Sequence, residues 1–87
     1  MVQGGDALME LDYFILECLK SNGTDTCPGI TREWMEYSGI QYTEPMYNKM
    51  LTKINRHMKQ LEKYGLVRYT GRTVSASDKS KIWETVI

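Results

Sequence analysis

Five cations recur along one stretch of this 87-residue chain: Lys49, Lys53, Arg56, Lys59 and Lys63 stand four, three, three and four positions apart. Those are helical spacings, so the five side chains share one side of a helix. Thr52 and Asn55 fall in the same neighbourhood. Ammonium groups in such a row neutralise phosphate oxygens, while Arg and Asn can pair bidentately with base edges. Two more cations, Arg72 and Lys79, belong to a polar run over residues 71–79.

Other chemistry is thin. His57 is the only histidine, and no Cys or Ser stands at a catalytic spacing from it. Cys18 and Cys27 are nine positions apart and form no CxxC pair, so a zinc site would have to recruit one of them from afar. Glu33 and Glu36 read as a solvated helix face, and the glycines form no phosphate-cradling run. The expectation is no catalytic residue, no metal ligand set and no cofactor.

Eleven basic and eleven acidic residues cancel to a formal net charge of +0. The cancellation hides a division. Residues 1–44 hold eight acids against Lys20 and Arg32, a net −6, and residues 45–87 hold nine bases against Glu62, Asp78 and Glu84, a net +6. A dipolar chain presents a positive face to phosphate, because encounter follows the local field and not the total. The competing explanation is that the two halves attract one another or a second subunit. No basic cluster followed by an apolar run opens the chain, and no apolar stretch approaches a membrane span. The cysteine usage suits a reducing, cytoplasmic setting.

Hydrophobic periodicity predicts the elements that hold these groups. A single domain should cover residues 7–87, with residues 1–6 disordered around Gly4 and Gly5. Leu8, Leu11, Ile15, Cys18 and Leu19 recur with helical spacing and predict a first helix over 7–21, ended by Asn22 and Gly23. Residues 24–30, with Pro28-Gly29 and Cys27, read as a polar loop. Thr31 is then the expected N-cap of a short helix over 32–38, with Gly39 at its end.

Thr43 should cap a third helix over about 44–64, with Pro45 in its first turn and Gly65 as its stop. Its apolar line is Tyr47, Met50, Leu51, Ile54, Met58 and Leu61. The run is long enough to leave room for a break near Asn48. Beyond Gly65 the period changes to two, predicting antiparallel strands over 66–70 and 80–86 joined by a mobile basic loop over 71–79. Ile82, Glu84 and Val86 should share one strand face, Trp83 and Thr85 the other. Trp34 and Trp83 read as structural.

Three helices followed by such a hairpin make an α+β chain in winged helix-turn-helix order. The run Ile54-Asn55-Arg56-His57-Met58-Lys59-Gln60-Leu61-Glu62-Lys63-Tyr64-Gly65-Leu66-Val67-Arg68 resembles the recognition helix and first wing strand of winged-helix regulators. Thr31 to Trp34 with Ser38-Gly39-Ile40 resembles their second helix, and Ile82-Trp83-Glu84-Thr85 their returning strand. The resemblance departs from the family pattern over residues 41–49, where extra material extends the third helix or adds a turn.

The resemblance implies duplex DNA binding by a small transcriptional regulator, with helix 44–64 in the major groove. Asn55 and Arg56 would read bases, with Thr52 shared. Lys49, Lys53 and Lys59 would meet phosphates. Arg72 and Lys79 would reach the backbone or minor groove from the loop. A homodimer would double the short site, through Tyr13, Phe14, Tyr42 or Tyr47. The alternative is a winged-helix protein–protein interaction module in a larger assembly.

Overall fold

A computed structural model describes residues 8–86. The disorder expected for residues 1–6 and the helix start expected at Ala7 lie outside the described residues. The element order is α1 (Glu10–Asn22), α2 (Cys27–Tyr37), α3 (Glu44–Lys63), β1 (Val67–Thr73) and β2 (Lys81–Thr85). The chain is α+β: three helices, then a two-stranded antiparallel hairpin.

α1 and α3 bury the stripes that their periodicity marks, and α2 adds Ile30, which the sequence pattern puts in a loop. Ile15 and Leu19 from α1, Ile30 from α2, and Ile54, Met58 and Leu61 from α3 are completely enclosed, and Val67 and Trp83 close the core from the hairpin. α3 is unbroken through Asn48. Thr43 caps it, its hydroxyl oxygen accepting the Met46 N–H at 3.2 Å. Residues 44–49 therefore belong to the helix front, and residues 38–43 form the connection from α2.

The second helix starts four residues before the expected Thr31 cap. Thr26 is the N-cap, with its Oγ1 accepting the Gly29 N–H at 3.1 Å. Pro28 and Gly29 lie in the first turn, where proline's missing N–H costs nothing. Thr31 is fully buried inside the helix and donates its hydroxyl proton to the Cys27 carbonyl at 2.7 Å. Cys27, expected in a polar loop, is a buried helical residue. Gly29 also admits a close neighbour, since a Cβ there would meet Asp25 Oδ1 at 2.6 Å.

The hairpin pairs Val67 with Thr85, Arg68 with Glu84 and Tyr69 with Trp83, then slips before Thr73 meets Lys81. Three residues, Thr70 to Arg72, thus face Ile82 alone, and Gly71 supplies the positive φ of 88° inside this bulge. Trp83 belongs to the inward face. Its backbone also exchanges two hydrogen bonds with Asp25, at 3.0 and 2.8 Å. The segment between α1 and α2 is thereby stitched to the hairpin as a one-residue third strand.

Asp12 ties the first helix to the third. It is buried, with Oδ2 accepting the Met9 N–H at 2.8 Å and Oδ1 lying 2.7 Å from His57 Nδ1. With the carboxylate ionised, the imidazole is the donor. Asp12→Ala leaves both donors without their acceptor, and should cost about 2 kcal/mol in urea unfolding. Thr26→Ala should cost about 1 kcal/mol as a lost cap. An unchanged midpoint in the Thr26 variant would contradict the early start of α2.

Candidate nucleic-acid interface

Burial of Met50, Ile54, Met58 and Leu61 fixes the rotation of α3 about its axis, and so fixes which residues face out. Lys49, Thr52, Lys53, Asn55, Arg56, Lys59 and Lys63 are all exposed. They do not point the same way. At about 100° per residue, Thr52, Arg56, Lys59 and Lys63 follow the middle of the outer face, with Lys49 close by. Lys53 and Asn55 occupy its opposite borders, roughly 160° apart across that face. The row from Lys49 to Lys63 spans about 21 Å at 1.5 Å per residue.

None of these cations has a carboxylate within ion-pair distance among the described residues; the two pairs found there are His57–Asp12 and Arg68–Glu84. The Thr52 hydroxyl donates to the Asn48 carbonyl at 3.0 Å, so its proton is committed and its oxygen can only accept. Arg56 is left as the central forked donor. At the front of α3 the Tyr42 and Tyr47 rings pack together with centroids 5.7 Å apart, and Tyr42 stays 63% exposed.

The hairpin corrects two expectations. Arg72 lies in β1 within the bulge, not in the loop, because the strand continues to Thr73. The connecting loop is residues 74–80, and it is laced internally rather than bare. The Ser75 N–H meets the Asp78 carbonyl at 3.0 Å, the Asp78 N–H meets Ser75 Oγ at 2.9 Å, and the Ser80 N–H meets Asp78 Oδ1 at 3.0 Å. Ser80 holds the Asp78 carboxyl below the usual carboxylate range, with Arg32 adding to the effect. Lys79 and Arg72 are both exposed.

The acidic half forms its own face. Phe14, Trp34 and Tyr37 pack as three rings with centroids 5.1 to 5.9 Å apart across α1 and α2. At helical spacing, Glu10 and Glu17 flank Phe14, and Glu33 stands one turn before Tyr37. Glu33 is not simply solvated, because the fold draws it to Cys18. The Cys18 thiol lies 3.9 Å from Glu33 Oε1, and Cys18, Asp25 and Glu33 offer ligand-type atoms all within 4.8 Å of one another. Yet both Asp25 oxygens already accept N–H groups, from Thr26 at 2.8 Å and from Asn22 at 3.0 Å.

Burial, then the Glu33 and Asp25 charges, push the Cys18 thiol up to about 12; burial, then Asp25, pushes Cys27 up to about 11. Glu33 is itself pushed up, first by burial and then by Asp25. Both cysteines are free thiols.

Asp12, His57, Asp25 and Trp83 carry contacts that sequence reading did not assign. Thr26 had a visible signal, because Thr26-Cys27-Pro28 repeats the spacing of Thr43-Glu44-Pro45. Among the described residues no helix is long and apolar enough to cross a membrane. Comparison of the chain with family models, with curated proteins and with solved structures finds no match.

Thiolates, not thiols, attack alkylating reagents. At pH 8 both cysteines should therefore react with iodoacetamide at least about a hundredfold more slowly in the native protein than in concentrated guanidinium. The native rate should climb through pH 9 and 10 without a plateau. Fast native labelling at neutral pH would contradict the burial of both thiols.

Proposed function

We propose that this protein is a winged helix-turn-helix module that binds duplex DNA as a small transcriptional regulator. The observation that carries the reading is the unpaired cationic outer face of α3, set on one unbroken helix whose opposite side is core. A single helix fits the major groove, which is about 12 Å wide. Arg56, central on that face, would read base edges; Asn55 would do so from its border. Lys49, Lys53 and Lys59 would neutralise phosphates, with Thr52 as an acceptor. Arg72 and Lys79 would approach the backbone or minor groove from the hairpin.

A second reading, a protein–protein interaction module in a larger assembly, draws on the acidic surface of α1 and α2. There Tyr37 and Tyr13 are exposed beside the Glu10, Glu17 and Glu33 positions. A homodimer would have Tyr13 and Tyr42 at its disposal, since both are exposed, whereas Phe14 and Tyr47 are half-buried.

Titration of labelled random duplex at several salt concentrations separates the two readings. Wild type should bind at low salt, with log affinity falling linearly against log salt. Lys53→Ala,Arg56→Ala should weaken binding and flatten that slope by about 1 to 2. A folded sample that ignores duplex even at low salt sinks the DNA reading. Sedimentation at micromolar concentration tests the dimer, and a purely monomeric profile removes it.

A further inference from the structure

α2, α3 and β2 converge on a cleft of about 350 Å³. Its lining is apolar on one side: half-buried Pro28 and Leu51 offer surface, backed by Trp83, the Cys27 thiol and Met58, which are nearly or fully enclosed. Burial, then Asp25, pushes that thiol up to about 11, so it brings no negative charge. The Asp25 carboxylate is held by Thr26 and Asn22. The rim is cationic and polar, with Lys59 from α3, Lys81 from β2, the Asn55 amide and the Ser80 hydroxyl. Lys59 has no ion-pair partner among the described residues, and Lys81 rests its ammonium 5.1 Å over the Tyr69 ring without an acid to neutralise it.

An apolar lining under a cationic rim discriminates between ligands. A bare phosphate would gain nothing from Pro28, Leu51 and Trp83, and a neutral hydrocarbon would leave both lysines unused. A flat aromatic body with one acid group satisfies both. We propose that this cleft is a binding site for a small aromatic anion, its ring on the apolar lining of Pro28, Leu51 and Trp83 and its acid group at the Lys59–Lys81 rim. The volume is at the lower end of the range for small-molecule sites. Asn55 and Lys59 also belong to the outer face of α3, so an occupant would oppose duplex binding. That last consequence rests on the DNA reading, whereas the site itself does not.

The full chain, labelled with ¹⁵N, is titrated with 2-naphthoate, and the neutral 2-naphthamide serves as control. Saturable amide shifts should appear at Cys27, Asn55, Lys59, Lys81 and the Trp83 indole, with a Kd on the order of 1 mM. Lys59→Gln and Lys81→Gln should each raise that Kd roughly threefold. Lys49→Gln, outside the cleft, should leave it unchanged. Both cleft lysines are exposed, so the variants should fold, and their spectra report it directly.

Shifts that do not saturate, that map elsewhere, or that naphthamide reproduces equally would overturn the site. A parallel duplex titration with and without saturating naphthoate, against sodium acetate as the salt control, reads the coupling. Raised apparent Kd for duplex supports shared use of Asn55 and Lys59. Unchanged duplex affinity with an occupied cleft removes the coupling and leaves the site standing. Absence of any duplex binding removes the DNA reading alone.

Discussion

Burial of one stripe on α3 is the constraint from which the remaining structure follows. Met50, Ile54, Met58 and Leu61 recur at helical spacing, and each buried aliphatic or thioether side chain contributes roughly 1.5 to 3 kcal/mol of transfer free energy. α1, α2 and the hairpin all supply core residues against that stripe. A 20-residue helix packed on one side has no freedom to rotate. Its uncovered side must carry whatever residues the other positions hold, and there they are mostly Lys, Arg, Asn and Thr. Core packing and the cationic surface are two consequences of one amphipathic pattern. Rotation of α3 by a single position would bring Asn55 towards the core and expose Ile54, a change whose desolvation cost opposes it strongly.

Two polar contacts then hold the surrounding elements in register. The Asp12–His57 contact joins the start of α1 to the middle of α3, across 45 residues. The Asp25–Trp83 backbone exchange joins the segment before α2 to β2. The second contact has more reach. It positions the first turn of α2 beside β2, and these two elements with α3 enclose the cleft. It also places Asp25 against Cys18 and Glu33, which concentrates the acidic charge between α1 and α2. Trp83 takes part in the core, in the bridge and in the cleft floor, and it also lies 5.9 Å from the Tyr69 ring.

The net charge of zero describes neither face of the molecule. Carboxylates gather along α1 and α2, and cations gather on the outer side of α3 and at the hairpin. At physiological salt the Debye length is about 8 Å, so each face presents its own sign to an approaching partner. Burial first, and then the neighbouring acids, raise the Glu33 carboxyl and the Cys18 thiol, while hydrogen bonds from Thr26 and Asn22 hold the Asp25 carboxylate.

Local pattern alone determined the stripes of α1 and α3, the Thr43 cap, the stop at Gly65, the change to a period of two, and the segregation of charge along the chain. Each of those signals acts within one turn or one pleat, so neighbouring residues suffice to read it. The start of α2 is legible in principle, because Thr26-Cys27-Pro28 matches the Thr43-Glu44-Pro45 cap of α3. Pro28-Gly29 also spells a turn, and only packing of Cys27, Ile30 and Thr31 into the core selects the helix.

The extension of β1 through a Gly71 bulge depends on its pairing with β2 and not on its own residues. The Asp12–His57 tie, the Asp25–Trp83 bridge and the Cys18–Asp25–Glu33 cluster join residues from separate elements, which no periodicity in a single segment encodes. Tertiary structure decided them because burying Asp12 required a partner for its carboxylate, and because closing the core brought Trp83 to the backbone of Asp25.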